Sequence, residues 1–260
     1  MKTIIFLTDG GLVEELGWKG QAQAFPLIPV GGNTIIGHIL DLFEAYLGDE
    51  IIIVTSDIDV TSWLTKNYPD LSISFAQSWG GVGALDGRVM VINGRFLTNP
   101  NLPTDLPTAA AITDENGKVT AMWVQSPCPL APPSSHFENW LDVLDVTMFP
   151  SHFSFPVRTV AELQYANTRL LGLGYGSEDL VERSYAEEFM GLPPVFLHET
   201  AVVDHSIIGP YAHIGADAHI KSSIIRNSII SAGATIENCI LDGAIIGENV
   251  KIIGEGQAII

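Results

Sequence analysis

In the N-terminal two thirds of the chain, short aliphatic runs alternate with stretches of amphipathic, helical periodicity. The runs predict buried parallel strands, and the stretches between them predict crossover helices. The predicted strands are 3–7, 51–55, 72–77 and 88–93, and the predicted helices are 34–47, 61–68 and 159–171. This alternation predicts an α/β domain with a parallel sheet and helices on both of its faces.

A different pattern interrupts this alternation between residues 108 and 124. Two short apolar runs, 108–113 and 118–124, are separated by Asp114-Glu115-Asn116-Gly117. Because Asn-Gly is the residue pair that a tight hairpin turn favours, the two runs predict a β-hairpin.

From Val195 onward, aliphatic residues recur at every fifth or sixth position. The recurring residues are Val202, Ile208, Ile214, Ile220, Ile225, Ile230, Ile236, Leu241, Ile246 and Ile252. Neither a helix nor an alternating strand has this period, whereas a parallel β-helix with three flat faces per coil requires it. The spacing predicts successive coils of 18, 16 and 16 residues with an inward aliphatic residue on each face.

The turns between these faces carry small residues. We expect Ala212, Ala218, Ala234 and Thr235 to pack at the corners of the coils. Glycines that could adopt positive φ there are Gly209, Gly215, Gly233, Gly243 and Gly247. We therefore predict residues 1–172 as an α/β domain, 173–194 as a linker and 195–260 as the β-helix.

Composition narrows the class of protein. With 47% hydrophobic residues the chain cannot remain disordered, and its formal net charge of −18 disfavours binding to nucleic acid or anionic membranes. The sequence has neither an apolar run that could span a membrane nor a signal-peptide core, so a cytoplasmic location is expected. Cys128 and Cys239 lack metal-binding spacing and are expected to be buried as small hydrophobic residues.

Several segments resemble the sugar-1-phosphate nucleotidyltransferases, which often end in a left-handed β-helix of hexapeptide repeats. The segments are Leu7-Thr8-Asp9-Gly10-Gly11 through Leu16, Pro26 to Val30, Gln77 through Leu85, Val91-Ile92-Asn93-Gly94, and Phe153 through Leu171. The resemblance covers nearly the whole chain. It implies a Rossmann-like, GT-A-like nucleotidyltransferase domain followed by a left-handed parallel β-helix.

The resemblance also shows which charged groups are replaced. Glu15 stands at the family's loop arginine, Phe25 at its lysine, and Arg95 and Pro156 at its two metal-binding aspartates. Gln125-Ser126-Pro127 stands where the family has glutamate-lysine-proline for the sugar phosphate. Because nucleotidyl transfer joins two anions, it needs the cations and magnesium ligands that these positions have lost. We therefore expect no catalytic residue, no metal ligand and no cofactor.

The positions that face a nucleobase in the family are better retained. Gly10, Gly11, Gln77 and Gly80 are the candidate nucleotide-binding residues, although tight turns would explain the glycines and a solvated strand end would explain Gln77. The resemblance implies an inactive regulatory or scaffolding subunit that binds a nucleotide or nucleotide sugar. The last predicted coil lacks a polar cap, so a homo-oligomer or a complex with an active nucleotidyltransferase relative is expected to cover it.

Three alternatives remain. An active nucleotide-sugar synthase would need magnesium and an unusual ligand set, for which Asp9 and Lys19 are available in the first loop. Acyl transfer would use a β-helix histidine, and the candidates are His198, His205, His213 and His219. A hydrolase would draw on Ser134, His136, Glu138, His152 and Ser154, but no known motif orders these residues.

Overall fold

The computed structural model describes residues 1–7, 12–16, 24–55, 57–82, 87–103, 105–125, 145–177 and 188–254. The chain forms two compact units. The first, which we call the sheet unit, contains Met1–Gly10, Ala24–Pro26 and Ile35–Val157. The second, which we call the coil unit, contains Gly11–Gln23, Leu27–Thr34 and Arg158–Ile260. The predicted boundaries at residues 172 and 194 remain predictions.

Elements are numbered along the chain. Up to residue 170 they are β1 (Lys2–Phe6), α1 (Leu12–Glu15), β2 (Pro29–Val30), β3 (Asn33–Thr34), α2 (Ile35–Leu42), β4 (Glu50–Val54), α3 (Ile58–Asn67), β5 (Ile73–Ala76), β6 (Arg88–Asn93), β7 (Phe96–Asn99), β8 (Ala109–Thr113), β9 (Val119–Gln125), β10 (Thr147–Pro150), β11 (Phe153–Pro156) and α4 (Val160–Leu170). The next are β12 (Met190–Gly191), β13 (Val195–Leu197), β14 (Val202–Asp204), β15 (Ile207–Ile208), β16 (Ala212–Ile214) and β17 (His219–Lys221). The last are β18 (Ile224–Arg226), β19 (Ile229–Ile230), β20 (Thr235–Glu237), β21 (Ile240–Asp242), β22 (Ile245–Ile246) and β23 (Lys251–Ile253).

The sheet unit is built on a seven-stranded sheet in the order β10-β8-β9-β6-β1-β4-β5. The predicted parallel strands are confirmed: β1 pairs with β4 and β6, and β4 pairs with β5, all in parallel. The sheet as a whole is mixed, because β9 runs antiparallel to both β6 and β8. The central strands are almost wholly buried, with Ile4, Ile5, Ile53 and Val91 at 0% exposure, as buried parallel strands require.

The helices begin where their capping residues allow. Asp57 accepts a hydrogen bond from the backbone N–H of Asp59 and starts α3 earlier than the hydrophobic pattern predicts. The predicted helix 34–47 is shorter in the structure, because α2 ends at Leu42 and a separate 3₁₀ turn follows at Glu44–Tyr46. Within the part of the chain that the structure describes, no helix is long and apolar enough to cross a membrane.

The predicted hairpin is confirmed, but its turn differs from a two-residue Asn-Gly turn. Among the four turn residues Asp114 to Gly117, only Gly117 has positive φ, at 79°. The Asp114 carboxylate accepts hydrogen bonds from the backbone N–H groups of Asn116 (2.9 Å) and Lys118 (2.8 Å). An aspartate that binds N–H groups ahead of it stabilises a longer loop, so Asp114 and Gly117 together define this turn.

The coil unit contains three stacks of parallel strands, which is the arrangement of a β-helix. The stacks are β12-β15-β18-β21, β13-β16-β19-β22 and β14-β17-β20-β23. The first stack begins at Met190, so its first strand lies within the segment 173–194 that the sequence predicted as a linker. Cys239 is 1% exposed in the core of these stacks, as expected for a small hydrophobic residue, while Cys128 lies outside the described residues.

The inward columns of the stacks confirm most of the predicted aliphatic ladder. They are Ile208-Ile225-Leu241, Leu197-Ile214-Ile230-Ile246 and Val203-Ile220-Ile236-Ile252. The prediction was wrong at Val202, which is 50% exposed, whereas Val203 is 2% exposed and pairs with Ile220 17 residues later. Two adjacent valines satisfy the same pattern, and the strand register selects the second. The first coil is therefore 17 residues long rather than 18.

The corners of the coils depend on left-handed backbone conformations more than on glycine. Three columns of corner residues have positive φ: His205-Ser222-Asn238, Tyr211-Asn227-Gly243 and Asp217-Gly233-Asn249. Asn, Asp and Gly tolerate this conformation best, which explains most of the columns. Of the glycines predicted to have positive φ, Gly215 and Gly247 lie outside the left-handed region. Gly215 is needed for another reason, since a Cβ there would lie 2.8 Å from the backbone nitrogen of Ala232.

A buried polar ladder connects successive coils at one corner. The Ser223 hydroxyl donates to the Lys221 carbonyl (2.7 Å) and accepts from the backbone N–H of Cys239 (3.1 Å). In the coil before it, the Ser206 hydroxyl accepts from the N–H of Ser223 in the same way (3.0 Å). Because a buried N–H without a partner is unfavourable, these hydroxyls stabilise the turn between coils.

We expect Ser223→Ala to lower the free energy of unfolding by about 1 to 3 kcal/mol. Ser223 is 2% exposed, so water cannot reach the N–H of Cys239 when the hydroxyl is removed. Chemical denaturation followed by circular dichroism would measure the change. Ser72→Ala, at an exposed serine of the sheet unit, is the matched control and should change stability by less than about 0.5 kcal/mol. Equal losses in the two variants would contradict the role of the ladder.

Candidate functional site

The strand order of the sheet unit indicates where a ligand would bind. From one edge the strands run β5-β4-β1-β6, so the chain builds outward from β1 to β5 and then returns to the other side of β1. In open α/β sheets, ligands bind beyond the carboxyl ends of the strands at the point where the order reverses. Here the reversal lies between β1 and β6. We call the carboxyl ends of these two strands, Phe6–Leu7 and Asn93–Arg95, the switch edge.

Gly94 brings the two sides of the switch edge into direct contact. Its backbone N–H donates a hydrogen bond to the carbonyl oxygen of Phe6 (2.8 Å). A Cβ at this position would lie 2.3 Å from the Phe6 carbonyl oxygen and 2.6 Å from Leu7 Cδ2. Only glycine fits, and the chain therefore turns out of β6 immediately beside the end of β1.

The structure brings together the two positions that the resemblance assigns to metal-binding aspartates. Arg95 immediately precedes β7, and Pro156 ends β11, which pairs antiparallel with β7 so that Phe96 lies opposite Pro156. The backbone N–H of Val157 donates to the carbonyl oxygen of Arg95 (2.9 Å). Arg95 and Pro156 are thus neighbours on one side of the switch edge.

These two residues do not fit a magnesium ion. Mg²⁺ requires oxygen ligands, usually carboxylates, while Arg95 contributes a guanidinium group and Pro156 an apolar ring. In the described ranges, no three His, Cys, Asp or Glu side chains come together as a metal-binding group. One of the two positions that the resemblance assigns to a metal ligand therefore carries a cation itself.

The turn that carries Arg95 is held by Asn93, to which the sequence interpretation assigned no role of its own. Asn93 Oδ1 accepts a hydrogen bond from the backbone N–H of Arg95 (3.1 Å). Asparagine readily binds the N–H group two residues ahead, and followed by glycine it marks a turn. That local signal could have identified Asn93 as the residue that orients Arg95.

Glu15, which the resemblance places at a loop arginine, has a structural role in the coil unit. Its carboxylate accepts a hydrogen bond from the backbone N–H of Val160, the first residue of α4 (3.2 Å). A negative charge at a helix N-terminus is stabilising because the free N–H groups there carry partial positive charge. An arginine at position 15 would bring the opposite charge to this end of α4.

A second carboxylate lies at the same helix end. Thr159 caps α4 by accepting from the N–H of Glu162 (3.2 Å), and the Glu162 carboxylate forms an ion pair with Arg158. Partial burial raises the pKa of Glu162, but the hydrogen bonds and charge of Arg158 outweigh burial and hold that pKa below its ordinary value. Arg158 and Glu162, the charged residues at the start of α4, therefore stabilise the folded structure.

The resemblance assigns two further replacements, at Phe25 and at Gln125-Ser126-Pro127. Phe25 is 4% exposed and belongs to the core, where a lysine could not be accommodated without a partner. Gln125 pairs with Arg88 at the amino end of β6, at the opposite end of that strand from Asn93. Ser126 and Pro127 lie outside the described residues. Of this segment, Gln125 therefore lies at the end of the sheet opposite to the switch edge.

Two of the four candidate nucleotide-binding residues can be placed. Gln77 follows the carboxyl end of β5 and Gly80 lies in the next 3₁₀ turn, and both are exposed. They share the carboxyl edge of the sheet with Arg95, but β5 is three strands from β6, about 14 Å at ordinary strand spacing. Gly10 and Gly11 lie outside the described residues. A ligand that contacts both Gln77 and Arg95 must be elongated.

The histidines of the coil unit are largely explained by packing and local hydrogen bonds. His213 is 3% exposed, its Nδ1 accepts from the N–H of Gly32 (3.1 Å), and Phe196 stacks on its ring with centroids 4.8 Å apart. His205 Nδ1 hydrogen bonds to Asp204, and His198 Nδ1 contacts Thr200 Oγ1 at 3.0 Å. His213 is too enclosed to act on an acyl donor, so the acyl-transfer alternative depends on the exposed histidines.

The hydrolase alternative is not supported by the residues that can be placed. The Ser154 hydroxyl hydrogen bonds to the Thr98 hydroxyl (2.8 Å), and His152 takes part in the turn through its backbone N–H, which donates to the Asn99 carbonyl (3.0 Å). Ser134, His136 and Glu138 lie outside the described residues.

Comparisons with known proteins add nothing to these structural observations. Compared with models of known protein families the chain matches none, and a comparison with curated proteins finds no match either.

Proposed function

We propose that this protein is a nucleotidyltransferase-like pseudoenzyme that binds a nucleotide or nucleotide sugar at the switch edge without transferring the nucleotidyl group. In this proposal the protein is a regulatory or scaffolding subunit of a larger assembly. The observation that carries the proposal is that Arg95 and Pro156 are neighbours at the start of β7 and the end of β11, beside the reversal of strand order. That edge keeps the geometry of a ligand site and replaces the metal ligands of a transferase.

The chemistry explains why binding and transfer separate. Transfer of a nucleotidyl group requires cations that stabilise charge developing between two phosphates, and a typical enzyme lowers the barrier by about 8 kcal/mol or more. A single arginine can attract a diphosphate, but it cannot coordinate both the attacking and the leaving oxygens as metal ions do. Loss of both carboxylate positions therefore removes catalysis before it removes affinity.

The architecture supports the resemblance. The order β5-β4-β1-β6 is the arrangement of a Rossmann-like nucleotide-binding half, and we propose that the sheet unit is a GT-A-like nucleotidyltransferase domain. The coils of 16 and 17 residues in the coil unit support a hexapeptide-repeat β-helix, for which we propose left-handed winding. Both features are fold-level analogies and supply no activity by themselves.

The outward-facing side of the first strand stack, β12-β15-β18-β21, supports the proposed subunit role. Its outward column consists of Met190, Ile207, Ile224 and Ile240, of which Met190 is 56% exposed. Apolar residues repeated along an outward face favour contact with another protein surface. We propose that the β-helix mediates assembly, as a homo-oligomer or with an active nucleotidyltransferase relative, in the cytoplasm.

We expect the purified protein to release no pyrophosphate above background with any nucleoside triphosphate, Mg²⁺ and a panel of sugar 1-phosphates. In the same buffer, calorimetry should detect binding of at least one nucleotide or nucleotide sugar. Turnover that disappears in Asp9→Ala would instead support an active nucleotide-sugar synthase with an unusual ligand set. Absence of both turnover and binding would contradict the proposed function.

A further inference from the structure

We infer that Arg95 takes the place of the metal ion and binds the diphosphate group of the ligand directly, so that binding does not require Mg²⁺. This inference rests on the proposed function, because it specifies how the switch edge would recognise its ligand. It predicts direct contact between Arg95 and the diphosphate of the ligand and an affinity that does not depend on metal, neither of which follows from the resemblance.

The position of Arg95 is fixed from three directions. Its N–H is held by Asn93 Oδ1 (3.1 Å), and its carbonyl oxygen accepts from the N–H of Val157 (2.9 Å). The preceding Gly94 is in contact with the end of β1, where no Cβ could be placed. The backbone from which the guanidinium group extends is therefore positioned at the strand reversal before any ligand arrives, which reduces the entropy that binding must overcome.

The chemistry of the side chain matches a diphosphate. A guanidinium group is charged at all physiological pH values and offers five N–H donors in a planar fork, so it can bind phosphate oxygens in a bidentate manner while keeping another contact. Arg95 is half-buried, which strengthens such an interaction relative to one in bulk water.

The charge of the whole chain favours a cation at the ligand site. With a formal net charge of −18, the protein repels polyphosphates at long range. A positive group at the binding site offsets this repulsion locally. In the parent family magnesium supplies that charge, whereas here the residue at the metal-ligand position supplies it itself.

The test is calorimetric titration of the full chain with ADP, GDP, UDP, CDP and inorganic pyrophosphate, each in Mg²⁺ and in EDTA. The inference expects at least one of these ligands to bind with dissociation constants that agree within about threefold in the two buffers. Arg95→Gln should weaken that binding by about 10- to 100-fold in EDTA, as expected for loss of charge-assisted hydrogen bonds. Comparison of pyrophosphate with the nucleotides shows whether the diphosphate alone suffices.

Three variants provide controls. Arg88→Gln removes an exposed arginine at the other end of β6 and should leave affinity within about twofold of the wild type. Arg95→Lys keeps the charge without the fork and should bind with intermediate affinity, which a purely structural role for Arg95 would not produce. Arg95→Asp should abolish binding in EDTA. Thermal melts of all variants verify that they fold.

The outcomes separate the inference from the function on which it rests. If the wild type binds a nucleotide in Mg²⁺ but not in EDTA, the inference is overturned and the proposed binding function stands. If it binds none of these diphosphates in either buffer, the inference is overturned, and the proposed function fails with it only when the panel of nucleotides and nucleotide sugars also shows no binding. Unchanged affinity in a folded Arg95→Gln variant also overturns the inference.

Discussion

Ile225→Ala is expected to lower the free energy of unfolding by about 2 to 5 kcal/mol, the range for removal of a large aliphatic side chain from a core. Ile225 is 0% exposed and stacks between Ile208 in the coil before it and Leu241 in the coil after it. Because each strand of the stack is fixed by hydrogen bonds to both neighbours, the stack cannot close around the missing atoms. Urea denaturation followed by far-ultraviolet circular dichroism would measure the loss.

Ile224→Ala is the matched control, because Ile224 precedes Ile225 on β18 and faces the opposite side of the strand. It is only partly buried, so its truncation removes less buried surface and leaves no enclosed cavity. We expect a loss of about 1 kcal/mol. Equal losses for the two variants would contradict the assignment of Ile225 to the inward column.

The repeat was predictable because each coil repeats the same local requirement. An aliphatic residue recurs wherever a strand turns its side chain inward, so a period near six is readable from the sequence alone. Register is less readable, as the two valines at 202 and 203 show: both satisfy the pattern, and only Val203 is buried. The choice depends on pairing with Ile220 in the next coil, which is a long-range interaction.

Local signals in the sequence also explain which predictions for the sheet unit were right and which were wrong. β6 has the predicted bounds, since Arg88 and Asn93 are polar residues on either side of an apolar run. The helix predicted for 34–47 breaks after Leu42, although its apolar pattern continues. The Asn-Gly pair correctly indicates a hairpin, but the carboxylate of Asp114 determines which turn forms.

The candidate site could be predicted only in part. Residue types at Arg95 and Pro156 follow from the aligned segments, but their proximity depends on the pairing of β7 with β11, which no local pattern predicts. The structural use of Glu15 at the start of α4 is equally non-local. The sequence thus indicates which residues are candidates for the site, and the fold shows which of them lie together.

Asn167 illustrates a long-range requirement that the sequence does not reveal. It lies in α4 at 1% exposure, where a polar residue in a helix would ordinarily be expected to face solvent. Its Oδ1 accepts from the N–H of Gly31 (2.9 Å), and its Nδ2 donates to the carbonyl oxygen of Tyr211 (3.1 Å). A single amide thereby connects three segments of the coil unit that are distant in sequence.

Asn167→Asp is therefore expected to destabilise the protein by about 3 to 5 kcal/mol at neutral pH, because it buries an uncompensated charge and removes the donor to Tyr211. Burial raises the pKa of the introduced carboxyl above its unfolded value. The folded variant then binds the proton more tightly, so its free energy of unfolding rises as pH falls through the folded pKa and decreases as pH rises. A protonated carboxyl can donate to Tyr211 and accept from Gly31, which restores both bonds.

The measurement is the difference in unfolding free energy between variant and wild type across a pH series, which cancels the titration of other groups. Asn116→Asp, at an exposed residue of the hairpin turn, introduces the same charge in a position where Asp-Gly is tolerated and should give a small difference that changes little with pH. If the Asn167→Asp deficit stayed constant from neutral to acidic pH, the carboxyl would not be buried among these groups. The bridging role of Asn167 would then be wrong, because only an enclosed carboxyl couples its proton to folding in this direction.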